Sequence, residues 1–175
     1  FNLGTSYRKV NKDSLAIVMY RNSLENCDKS LGKHNWIYLG RLKALAGLYK
    51  ERGSYKEAIN SYQQGRNTIR EWHGEDHVQY ANWSMLLAQT YYDIGQYQNA
   101  LPLFLLAYED AKMRKELQPG VFEHRLKYLA GIYQETGQYQ KSIDAYTELY
   151  PVIDKNKGKE HFTYGIEFGV GIDGF

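Results

Sequence analysis

Cysteine is nearly absent from this chain: Cys27 is the one thiol in 175 residues. A lone thiol closes no internal disulfide, which excludes the stapled secreted scaffolds and points to a reducing, cytoplasmic setting. Long apolar runs are missing too. Nothing approaches the ~20 residues of a membrane span, and no basic-then-apolar leader opens the chain. Charge of one sign is not in excess, with 22 basic against 20 acidic residues and a net charge of +2. That balance gives no reason to expect a nucleic acid or an anionic membrane as partner. Phe1 stands in mid-pattern where a Met would open a complete frame, so the chain reads as a piece of something longer.

What the chain has in abundance is tyrosine, 17 residues, and a period. Tyr38 to Tyr62, YLGRLKALAGLYKERGSYKEAINSY, returns from Tyr80 and again from Phe122, at offsets of 80 − 38 = 42 and 122 − 80 = 42. A fixed period of this size marks a repeat array whose units bury their apolar faces against their neighbours. The boundaries that follow are a partial first unit over 1–31, full units over 32–73, 74–115 and 116–157, and a last segment over 158–175.

Each unit reads as two antiparallel helices. Tyr38, Leu42, Leu45, Ala46 and Tyr49 fall at i, i+4, i+7, i+8 and i+11, one stripe of a helix. Gly53, with Gly95 and Gly137 one and two periods on, ends that helix in a left-handed conformation, and Asn11 holds the corresponding place in the first unit. Ser54 and Glu57 have the S-x-x-E spacing of a capping box for the second helix, whose inward face carries Ala58, Ile59, Tyr62 and Ile69. The small residues 58, 100 and 142 allow close helix approach, and most tyrosines are core rings with a polar tip. Cys27 lies one period before Ile69, which makes it a small buried hydrophobe. Pro102 removes one backbone bond inside a helix and is expected to bend it slightly. Residues 158–175 carry two patterns. His161 and Tyr164 keep the register of His77 and Tyr80, as a further first helix would. Phe162, Tyr164, Ile166, Phe168, Val170 and Ile172 alternate as a strand does.

The residues Leu45, Ala46, Tyr49, Gly53, Tyr55, Ala58 and Tyr62 together resemble the tetratricopeptide (TPR) repeat. With a 42-residue period and the Gly-x-x-His links at Gly74–His77 and Gly158–His161, the chain is similar to the kinesin light chain type. Asn99-Ala100-Leu101-Pro102-Leu103-Phe104 also resembles arrays of bacterial proteins that carry a caspase-like CHAT protease domain. The resemblance implies an all-α solenoid of antiparallel hairpins in a right-handed superhelix, whose first helices line a concave groove for peptides or protein segments.

If the Leu45 stripe packs inward, the opposite face of each first helix lines that groove. The second unit offers Gly40, Lys43, Gly47 and Lys50; the third, Asn82, Met85, Gln89 and Tyr92; the fourth, His124, Lys127, Gly131 and Gln134. The first unit adds Arg8. No carboxylate stands at the equivalent positions, so the expected groove is basic, with amides able to bond a peptide main chain. An acidic or C-terminal peptide is the expected ligand. The competing reading is that these are solvated helix faces, with Lys50 placed in a last turn where a cation is favourable in any case and with Glu51, Asp93 and Glu135 one residue along to offset the field. Gly47 and Gly131 are the more telling positions, because glycine inside a helix costs about 1 kcal/mol relative to alanine.

Catalytic constellations are thin. His73 and His77 stand four apart with Gly74 between them, and Glu75 and Asp76 are too few to complete a metal site. Cys27 and His34 lie in an ordinary helix end and link. No glycine-rich phosphate loop follows a strand. The reading is a non-catalytic interaction scaffold without cofactor or metal. Two alternatives are the regulatory arm of a larger enzyme, such as a CHAT protease or a sensor kinase, and a self-assembly module joining copies through exposed array ends.

Overall fold

A computed structural model describes residues 4, 6 and 13–157 of the chain, and among them there are seven helices and no strand. In chain order these are α1 (Asp13–Leu31), α2 (Trp36–Glu51), α3 (Tyr55–His73), α4 (Val78–Asp93), α5 (Tyr97–Met113), α6 (Pro119–Glu135) and α7 (Tyr139–Lys157). Asn11, Arg8 and the segment 158–175, with its helix and strand patterns, lie outside the described residues.

The fold is an α-solenoid of antiparallel helical hairpins, and the hairpin turns follow from glycine. Gly53, Gly95 and Gly137 have φ of 72°, 73° and 72°, a region that clashes with a Cβ and admits glycine freely. At the first turn the Gly53 N–H donates to Lys50 O and the Ser54 N–H to Tyr49 O, at 3.0 and 2.8 Å. The same pair recurs at Gly95 with Gln96 and at Gly137 with Gln138. This is the Schellman arrangement, which satisfies two orphan carbonyls at a helix end. The expected capping box at Ser54 does not form. Its side chain makes no capping bond to the start of α3, because the Schellman turn places Ser54 at φ −78°, ψ 61° rather than in the extended geometry an N-cap side chain needs.

Two compact units divide the chain, 1–110 and 111–175. In the first, α1 packs on α2, α2 on α3 and α3 on α4. One buried cluster runs through them, including Tyr20, Cys27, Leu42, Leu45, Tyr62, Ile69 and Trp83. Cys27 is free and buried there, as a small hydrophobe. Tyrosine hydroxyls tie helices together where the rings leave the core. Arg21 Nε donates to the Tyr49 hydroxyl across α1 and α2 at 2.6 Å, and one period on Gln63 Nε2 donates to Tyr91 across α3 and α4 at 3.1 Å. Gln64 donates to Tyr38, and Arg66 to both Tyr80 and Ser84. In the second unit α6 packs on α7, and the Ser142 hydroxyl donates to Ala130 O at 2.9 Å where the two helices approach.

Among the described residues no helix is long and apolar enough to cross a membrane.

Candidate ligand-binding face

The α2 helix starts at Asn35, whose extended backbone (φ −148°, ψ 135°) lets its side chain accept the Ile37 N–H at 2.8 Å. From that start, Leu42, Leu45, Ala46 and Tyr49 are buried. The opposite face therefore carries Gly40 and Lys43, both exposed, with Gly47 and Lys50 partly covered. The two glycines face open space. A Cβ on Gly40 would meet nothing within 4 Å, and one on Gly47 only the Tyr62 hydroxyl at 3.8 Å. Neither residue is required by packing inside the fold, although each costs the helix about 1 kcal/mol relative to alanine.

The positive field of this face is reduced by one of the carboxylates that the sequence places one residue along, Asp93. Lys50 Nζ lies 2.8 Å from Asp93 Oδ2, so the last turns of α2 and α4 are joined by an ion pair that cancels the Lys50 charge. The Tyr62 phenol sits in the same region. Burial pushes its pKa up to about 12, with the carboxylates of Glu51 and Asp93 adding to the shift. Lys43 is left as the cation of α2 with no partner among the described residues.

On α4, Asn82 and Gln89 are partly covered. Asn82 is engaged within the protein, whereas Gln89 has no partner among the described residues. Met85 is buried and belongs to the core, not to this face. In the second unit, His124, Lys127 and Gln134 are exposed on α6. The His124 ring lies edge-on to Tyr128 at 5.0 Å. Partial burial, then Arg125 and Lys127, hold its pKa below the usual histidine value.

A second feature escapes the repeat pattern. His73 and His77, read from sequence as two residues split by Gly74, stack at 4.5 Å between ring centroids. Gly74, at φ 85°, reverses the chain and brings the two imidazoles face to face. Trp36 stacks on both of them, Trp72 joins from α3, and His34 stacks on Trp72 at 6.0 Å. Nδ1 of His77 accepts the Gln79 N–H at 3.2 Å and so caps α4. Among the described residues no group of three or more His, Cys, Asp or Glu is placed to hold a metal ion. The rings close the junction between successive hairpins.

The family comparison rests on the same hairpins. A profile of the tetratricopeptide repeat matches residues 36–113, which are α2 to α5. Residues 36–113 are tetratricopeptide repeats. The 42-residue sequence period recurs on both sides of the match. Among solved structures, BtubC (BKLC) from P. vanneervenii superposes with a TM-score of 0.80 at 18% identity, over 90% of this chain and 63% of that one. A kinesin-light-chain-type protein of nearly identical TPR-like repeats from Podosopora anserina gives 0.54 at 16% identity, over 90% and 95%. Aspartyl phosphate phosphatase F from Bacillus subtilis gives 0.72 at 16%, over 87% and 38%. The chain thus spans less than two thirds of BtubC, and at these identities the likeness is one of fold. No curated protein sequence matches the chain.

Proposed function

We propose that this TPR array is a non-catalytic scaffold that binds an acidic or C-terminal peptide segment on the face shared by α2 and α4. TPR repeats are in general protein-interaction scaffolds, and the finer reading rests on the open glycines. Gly40 and Gly47 flank Lys43 at i−3 and i+4, and among the described residues only the Tyr62 hydroxyl, 3.8 Å from a Cβ on Gly47, comes near the space above them. A ligand main chain can approach the helix there without meeting a Cβ. Lys43 supplies an unpaired ammonium between them, and the Gln89 carboxamide on α4 supplies a donor and an acceptor. Lys50, tied to Asp93, is a wall of the face and not its charge. Arg8, Asn82, His124, Lys127 and Gln134 stay candidates for the same role, each on the face of its own helix.

The test is fluorescence anisotropy with a labelled pentapeptide of alternating glutamate and alanine carrying a free carboxyl terminus. Lys43→Glu is expected to weaken binding about tenfold or more, the scale of one charge-assisted contact of ~1.5–3 kcal/mol. Equal affinity of the variant and the parent refutes the assignment.

A second reading, the regulatory arm of a larger enzyme, draws on one comparison. The chain covers 38% of aspartyl phosphate phosphatase F, so a stretch of this fold occurs within a longer protein named as a phosphatase. A catalytic dyad or kinase core in the full reading frame would favour that reading over an autonomous scaffold.

A further inference from the structure

The outward face of α3 carries a second candidate site, separate from the α2 and α4 face. A trough of about 390 Å³ runs along it, lined by Asn60, Gln63, Gln64 and Asn67 and closed by Thr68, Glu71 and Lys33. Four carboxamides stand within eight residues, and the one charge among those eight, Arg66, turns away to Tyr80 and Ser84; a solvated helix face does not require this pattern. Glutamine forms helix as well as lysine or glutamate does, but asparagine, present here twice, carries a propensity penalty in a helix interior. The fold puts two of the amides to use: Gln63 donates to Tyr91 and Gln64 to Tyr38. Both keep their carbonyl oxygens as acceptors. Asn60 and Asn67, which are exposed, have no partner among the described residues.

We propose that this trough binds the main chain of an extended peptide segment. Uncharged groups, each with both a donor and an acceptor, complement the alternating N–H and C=O of a backbone and do not select a charged ligand. Their spacing agrees. Asn60 to Gln64 and Gln63 to Asn67 are steps of four residues, about 6 Å along a helix. An extended chain presents same-side backbone groups about every 6.6 to 6.8 Å. From Asn60 to Glu71 the trough spans eleven helical steps, about 16 Å, the length of roughly five extended residues. No ring lines it, which argues against a sugar, since a pyranose face needs an apolar platform. Lys33 and Glu71 close one end, each 3.9 Å from a side chain of the protein itself, Asp28 and His34.

The experiment titrates the isotope-labelled protein with acetyl-Ala-Ser-Ala-Ser-Ala-amide and follows the side-chain NH₂ resonances of asparagine and glutamine. Saturable shifts at Asn60 and Asn67 are expected. In Asn60→Ala/Asn67→Ala the accompanying shifts of the Gln63 and Gln64 carboxamides should require about thirtyfold more peptide, as for two lost hydrogen bonds, and all shifts should vanish with a backbone N-methylated peptide. Alanine is the stronger helix former, so the double variant keeps its fold. Lys43→Glu should leave the shifts unchanged, which separates this site from the α2 and α4 face. Absent shifts, shifts that survive N-methylation, or shifts lost in Lys43→Glu overturn the proposal.

Discussion

The same substitution, glycine to alanine, has opposite expected effects at two positions of adjacent helices. Gly65 is buried in α3, and a Cβ built on it would stand 2.5 Å from Trp83 Cε3 and closer still to Cζ3 and Cη2. The indole is itself buried, with the Tyr62 ring edge-on at 6.1 Å, so it has little room to withdraw. Overpacking of this kind costs about 1–3 kcal/mol and, against a rigid ring, the upper end applies. The gain in helix propensity returns about 1 kcal/mol. Gly65→Ala should therefore destabilise the array by roughly 2 kcal/mol. At Gly47 the nearest atom is a hydroxyl at ordinary contact distance, and only the propensity gain remains. Gly47→Ala should stabilise by about 0.5–1 kcal/mol. Urea titrations followed by circular dichroism, with Trp fluorescence as a second probe because repeat arrays can unfold in stages, give both values. A Gly65→Ala protein as stable as the parent would refute the packing of α3 on α4, and a destabilised Gly47→Ala would mean that the space above α2 is not open.

Other consequences can be checked with the same titrations. Arg66→Ala removes a guanidinium that lies 4.4 Å over the Tyr80 ring and donates to Ser84 at 2.9 Å, and should cost about 1.5–3 kcal/mol. Asn35→Ala, which removes the side-chain acceptor for Ile37, should cost about 1 kcal/mol, whereas Ser54→Ala, which removes no capping bond, should stay within about 0.5 kcal/mol. Tyr38 and Tyr62 have pKa values pushed up to about 12, in each case chiefly by burial, with Asp28 and Cys27 adding to the shift at Tyr38 and Glu51 and Asp93 at Tyr62. A phenol whose folded pKa lies above its unfolded value contributes stability that is complete below about pH 10 and is lost as the pH rises towards 12. The absorbance of phenolate at 295 nm should show late-titrating tyrosines, and the urea midpoint should fall between pH 10 and 12. An even titration of all tyrosines near pH 10 would contradict the burial of these rings.

The hairpins were legible because two independent signals agree at each turn. The Leu45 stripe stops where the helix stops, and Gly53, Gly95 and Gly137 sit where the chain must turn left-handed. The small residue at 58 and the rings at 49 and 62 could be assigned to the core for the same reason: each recurs in helical register. Side-chain pairing between repeats was harder to read. Lys50 meets Asp93, 43 residues away, one period and one residue on, so comparing equivalent positions alone misses it. The capping box failed because a sequence spacing does not report the backbone angles of its first residue, and the preceding Schellman turn had already set those of Ser54. His73 and His77 looked separated by Gly74, yet the turn that glycine permits is what stacks them. The α3 trough carries no motif at all. Its one visible sign was a run of uncharged amides at i, i+3, i+4 and i+7 where charged residues would fold as well.

The binding face of α2 is best tested by placing a methyl group on its floor. Gly47→Ala should leave the array as stable as the parent or more so, while weakening the glutamate–alanine pentapeptide severalfold, because the added Cβ occupies the space a ligand main chain would use. Binding of that peptide with undiminished affinity by a stable Gly47→Ala protein would contradict the assignment of this face as the peptide site.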